Sequence, residues 1–175
     1  VREELDKILL SDYVKKGLNL LEELNILKLL KIKNNENIVP VKNLEGMYAQ
    51  LEFKYDFPFT KEEKMHIASL KEIIKKGKID AHTVYHYGLY LSLIAGEILT
   101  IDKTEIARIH KSLPIYEKKD IIVSASEIKE YLNINFSRKI SIIINDIENS
   151  LIEGKIENTK ESIFQYLDSF KGKWL

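Results

Sequence analysis

Positive charges fall in pairs at Lys118-Lys119 and Arg138-Lys139, and again at Lys171 and Lys173. An aromatic residue lies close by each time, at Tyr116, Phe136 and Trp174. Lysine and arginine neutralise phosphates and an exposed ring stacks on a base, so the pattern fits a surface that grips RNA. The first two pairs fall at loop or helix-start positions, where free backbone N–H groups add to the attraction for phosphate. The plainer reading is solubilising lysines beside buried rings.

Two other constellations carry less. Asp146-x-Glu148 offers two carboxylates, but residues two apart on a helix point about 200° from one another and cannot share one divalent ion. A solvated helix face is the expected reading. His82 and His86 stand four apart on an expected helix and could meet one metal. Residue 83 is Thr rather than the Glu of a zinc hydrolase helix, and no third ligand has a sensible spacing, so core or interface histidines are expected. No His-Asp pair of the metal phosphohydrolase type occurs in the sequence.

The 175 residues suffice for one large domain or two small ones. Lys plus Arg and Asp plus Glu are equal at 27 each, which excludes a globally basic nucleic-acid binder but not a local basic face. With no cysteine, disulfides, thiolate zinc sites and cysteine nucleophiles are excluded. No signal-peptide pattern and no membrane-length apolar run occurs, so the expected compartment is the cytoplasm, with no membrane partner. The chain opens at Val1 inside a helical pattern without Met or cap, as a fragment of a longer protein would.

To position these groups the sequence offers helices. Residues 2–12 place Leu5, Ile8 and Leu9 on one stripe, and residues 14–30 place Val14, Leu18, Leu21, Leu24 and Leu27 on another, with Ser11-Asp12 as the break between them. Residues 31–44 read as a loop, and 46–54 as a short helix burying Met47, Tyr48 and Leu51. Thr60-x-x-Glu63 is a capping box for a helix to about Lys76, with Met65, Leu70, Ile73 and Ile74 inward and Gly77 as its stop. Asp80 caps a helix that is apolar on most sides from Val84 to Leu99, and another spans about 103–111. After Leu113-Pro114-Ile115, Ser124-x-x-Glu127 caps a helix to about 133. A further helix from Ser137 carries Ile140, Ile143, Ile144, Ile147 and Leu151 to Gly154, and a last one starts at Asn158 and buries Ile163, Phe164 and Leu167. The expected fold class is all-α: a multi-helix body over 1–111, truncated at its N-terminal side, followed by a compact three-helix tail over 112–175. Ile121 to Val123 is too short a strand candidate to build a sheet.

The order and spacing of the pieces from Ser112 to Leu167 resemble the C-terminal region of bacterial class II tRNA nucleotidyltransferases, the CCA-adding enzymes. The residues that carry this are Ser112-Leu113-Pro114-Ile115, the short linker to Asp120-Ile121-Ile122-Val123, the capped helix at 124–133, and the Gly154-x-Ile156-x-Asn158 junction. Gly17-Leu18-x-Leu20-Leu21-x-x-Leu24-x-Ile26-Leu27 also resembles the start of that family's helical body. Two turns depart from the family: Ser124-Ala125-Ser126-Glu127 stands for Asn-Gly-x-Asp, and Asn135-Phe136-Ser137-Arg138 for Pro-x-Gly-Pro.

The resemblance implies a body and tail that grip the outer corner of tRNA, around the T-loop and acceptor-stem backbone, by shape and phosphate contacts. Tyr116, Lys118, Lys119, Ser137, Arg138 and Lys139 are the expected RNA-binding residues. It also implies a catalytic head, preceding Val1, that would hold Mg2+ with CTP or ATP. This chain alone is therefore expected to be catalytically silent, with tRNA rather than DNA as partner. The alternatives are a helical protein–protein interaction module and, less strongly, the matching region of a bacterial poly(A) polymerase.

Overall fold

Local chemistry sets two helix starts. Thr60 Oγ1 accepts the Glu63 N–H at 3.1 Å while the Glu63 carboxylate accepts the Thr60 N–H at 2.7 Å. Ser124 and Glu127 repeat the exchange at 3.2 and 2.8 Å. Each reciprocal pair satisfies backbone donors that a helix end leaves orphaned. These boxes open α5 (Lys61–Lys76) and α8 (Ala125–Leu132).

The structure, a computed structural model, describes residues 1–33, 36–134 and 137–169. The fold is all-α. Before α5 come α1 (Arg2–Leu9), α2 (Val14–Glu23), α3 (Ile26–Leu29) and α4 (Leu44–Ala49). Between and after the boxes come α6 (Ala81–Ile98), α7 (Lys103–Ser112), α9 (Ser137–Ile152) and α10 (Lys160–Ser169). Two-residue strands β1 (Ile32–Lys33) and β2 (Glu52–Phe53) pair antiparallel, with Ile32 opposite Phe53 and Lys33 opposite Glu52.

Several local expectations are corrected. A single helix over 14–30 is interrupted at Asn25, which turns left-handed (φ 59°, ψ 16°) and leaves Leu24 on the surface; asparagine tolerates that region better than most residues. The apolar stretch from 84 is broken at Gly88 (φ 77°, ψ 167°), a conformation open in practice to glycine alone. Met65 faces out rather than in. The last helix is capped by Thr159, whose Oγ1 accepts the Ser162 N–H at 3.2 Å, and not by Asn158.

The chain divides into two compact units, Val1–Ile79 with Tyr87–Ala107, and Asp80–His86 with the residues from Arg108 onward. In the first unit Leu5, Leu9, Leu18, Met47, Leu70 and Ile73 are buried. Tyr48 sits among Phe53, Phe57 and Phe59, with ring centroids 4.8–5.9 Å away. Its hydroxyl donates to Asp6 Oδ1 at 2.7 Å, which satisfies the polar end of a buried ring. In the second unit α8, α9 and α10 bury Ile128, Leu132, Ile140, Ile143, Ile147, Leu151, Ile163 and Leu167 around Ile115, Ile121 and Val123.

Asn158 is the stitch of the second unit. Its Nδ2 donates to the Asp120 carbonyl at 2.8 Å and its Oδ1 accepts the Ile122 N–H at 3.0 Å. The segment 120–122 is thereby held without a sheet, two of its backbone groups satisfied by one side chain and the Asp120 and Ile121 N–H groups by the carbonyls of Glu117 and Lys118.

Candidate functional site

Tyr116, Lys118 and Lys119 lie on a tight turn. The Asp120 carboxylate accepts the N–H groups of Tyr116 and Glu117 at 2.9 and 3.0 Å and closes the 3-10 turn Lys118–Asp120. Lys118 Nζ reaches across to α9, where it donates to Asn145 Oδ1 and lies 3.1 Å from Glu148. Lys119 pairs with Glu117. Tyr116 is exposed, its ring 5.1 Å from that of His110.

Arg138 and Lys139 are exposed in the first turn of α9. Arg138 precedes Asn145 by seven residues, two helical turns, so the two share a face about 10 Å apart along the axis. The turn and the start of α9 thus present Lys118 and Arg138 along one side of the same helix. Glu148 and Glu117 offset part of the charge that the sequence alone suggests. Ser137 belongs to the same first turn of α9; Phe136, Lys171, Lys173 and Trp174 lie outside the described residues.

The two carboxylates of Asp146-x-Glu148 diverge. Tyr166 Oη donates to Asp146 Oδ2 and Tyr85 Oη to Glu148 Oε1, each at 2.7 Å. Burial, the larger cause, and these acidic neighbours raise both phenols above their ordinary range. The pair is therefore not a solvated face, as the sequence suggests, but two half-buried acceptors for core tyrosines. His82 lies on the surface of the second unit, 3.4 Å from Glu153, and stacks on exposed His86 at 6.1 Å. Neither is a core residue. Among the described residues no three His, Cys, Asp or Glu side chains come together as metal ligands would.

The first unit holds a second basic feature that no sequence motif marks. A cleft of about 850 Å³ is lined by Lys28, Lys31, Lys33, Lys54 and Lys71, against Glu22 and Glu52. Its geometry follows from the strand pair. Just beyond Ile32 and Phe53, the Lys54 N–H donates to the Lys31 carbonyl at 3.0 Å and brings these two residues to the same end of the strand pair. Lys33 is paired with Glu52 at 2.7 Å. Lys71 comes from α5, half-buried, with Nζ 4.7 Å above the Phe53 ring and donating to the Leu51 carbonyl at 3.0 Å. Burial pulls its amine below the usual lysine range, partly countered by Glu52. The spacing Lys28-x-x-Lys31-x-Lys33 is the sole trace of the cleft in the sequence, where it is divided between the helix read over 14–30 and the loop read over 31–44.

Comparison with known proteins bears on which surfaces matter. Residues 1–31 match the family model "Probable RNA and SrmB- binding site of polymerase A". A protein from Streptococcus thermophilus, named CCA-adding enzyme, is 24% identical over 96% of this chain and 49% of its own length. One of the same name from Lactococcus lactis subsp. cremoris is 22% identical over 91% of the chain and 46% of its length. A third, from Bacillus licheniformis, is 31% identical over 53% and 25%. The chain spans about half the length of the curated relatives that it matches most fully. Residues 50–167, two-thirds of the chain, match the model of tRNA nucleotidyltransferase domain 2, and the chain belongs to that family.

Proposed function

We propose that this chain is the tRNA-binding part of a CCA-adding tRNA nucleotidyltransferase. It holds the elbow and acceptor stem by shape and phosphate contacts, so that the 3′ end reaches a catalytic head carried elsewhere in the protein. The observation that carries the reading is the family match over 50–167, together with relatives named CCA-adding enzyme that are about twice as long. The polymerase RNA-site match over 1–31 supports RNA as the ligand. In the second unit, exposed Arg138 and Lys139, with Lys118 along the same helix, supply point charges suited to a backbone read by shape rather than by base. Magnesium and CTP or ATP belong, on this reading, to the head.

The test is binding of a full-length tRNA transcript at low salt, comparing the wild-type chain with K118Q/K119Q/R138E/K139E. Glutamine is used at 118 and 119 because a reversed charge there would face Glu148 and Glu117. Weaker and less salt-sensitive binding by the variant supports the reading; equal affinity removes this surface from it. A second reading has one observation in its favour. Tyr13, Leu20 and Leu24 are exposed along one side of α2, as a protein-binding helix would present them. Cross-links from tRNA that map to the second unit favour RNA; a chain indifferent to tRNA but captured through α2 favours protein.

A further inference from the structure

We infer that the lysine-lined cleft of the first unit is a second RNA-backbone site, formed by Lys28, Lys31 and Lys54 over a floor supplied by Lys71. The inference rests on RNA being the ligand of this chain, but it concerns residues in the other unit from the expected ones.

Three observations support it. Lys31, a turn residue with φ 52°, and Lys54 flank the strand pair, joined by the bond from the Lys54 N–H to the Lys31 carbonyl, and both line the cleft with no carboxylate paired to either among the described residues, so their like charges there are uncompensated. Lys28, on α3, is equally without an acidic partner there. Lys71 keeps a half-buried amine above an aromatic ring, its one hydrogen bond going to a carbonyl, although desolvating an ammonium is unfavourable. A polyanion in the cleft would relieve all three at once. The lining holds five lysines against two glutamates, in a chain whose net charge is zero.

Lysines on four separate segments, with no arginine fork among them, favour a ligand with several phosphates over a single one held in two-pronged fashion. Successive phosphates of RNA and the triphosphate of a nucleotide share that chemistry. The spread of the lysines along α3, β1, the residue after β2 and α5 favours the polymer.

The experiment compares K28Q/K31Q/K54Q with a control, K15Q/K61Q/K75Q, which removes the same charge from exposed positions of the same unit. Binding of a tRNA transcript is measured from about 50 to 200 mM salt, with CTP as competitor in a parallel series. The expected result for the cleft variant is a loss of about tenfold or more at low salt, and a salt slope shallower by about 0.9 for each lysine that touches a phosphate. The control should bind as wild type does. Wild-type affinity and slope in the cleft variant overturn the inference and leave the tRNA reading standing. Absence of tRNA binding by the wild-type chain overturns both. Displacement of tRNA by CTP from the wild-type chain but not from the cleft variant replaces the RNA site with a nucleotide site.

Discussion

At the scale of single residues, two side chains decide how the second unit is tied together. Glu127 accepts from Lys160 Nζ and from the N–H and Oγ of Ser124. Lys160 first, and then Ser124, hold its carboxyl at about 2 against an ordinary 4.5. The folded value is depressed, so the stabilisation is full above pH 4.5, decays as pH falls, and is gone below about 2. Melting of Glu127→Gln should therefore depend less on pH than wild type across that window, and carbon-detected titration should place the wild-type Glu127 carboxyl well below 4.5. An ordinary titration would mean the cap and the Lys160 bridge do not hold in solution. Asn158 makes the second prediction. Asn158→Ala leaves the Asp120 carbonyl and the Ile122 N–H to water and should cost about 1–2 kcal/mol in urea unfolding. The sequence shows Asn158 at a helix start, where asparagine usually caps, and nothing local reveals that its amide is committed 36 residues away.

At the scale of elements, what could be read from the sequence was what local chemistry determines. The Thr60 and Ser124 boxes, the stop at Gly77, and the Ile140, Ile143, Ile147, Leu151 stripe each depend on residues within one or two turns, and each stands where the pattern puts it. The breaks at Asn25 and Gly88 did not announce themselves, because both lie inside runs whose apolar content suits a continuous helix. At Gly88 the backbone takes φ 77° and ψ 167°, and a Cβ there would meet no neighbour within 4 Å. Any penalty for Gly88→Ala is therefore conformational rather than steric crowding. The variant should lose about 1–3 kcal/mol by chemical denaturation. Gly96 is the contrast: a Cβ on it would collide with Ile106 Cδ1, so Gly96→Ala tests packing against Ile106 rather than backbone freedom. A Gly88→Ala chain as stable as wild type would mean that the helix straightens through this position in solution.

At the scale of the whole molecule, neutrality conceals local asymmetry. Acidic and basic residues are equal in number in each unit, yet the cleft gathers five lysines against two glutamates, and the start of α9 exposes Arg138 and Lys139 together. The second of these was legible as adjacent residues in the chain. The first was not, since Lys31, Lys54 and Lys71 meet only through the strand register and the packing of α5. If both surfaces contact phosphates of one bound tRNA, each contact releases its own counterion. The changes in salt slope of the two variant sets must then add, at about 0.9 per contact on duplex RNA treated like B-form DNA. The combined variant should accordingly show a slope change equal to the sum of the two separate ones, measured by titrating a tRNA transcript at several salt concentrations. A combined change no larger than that of one set alone would show that only one of these surfaces carries the RNA, and the set that reproduces it would identify which.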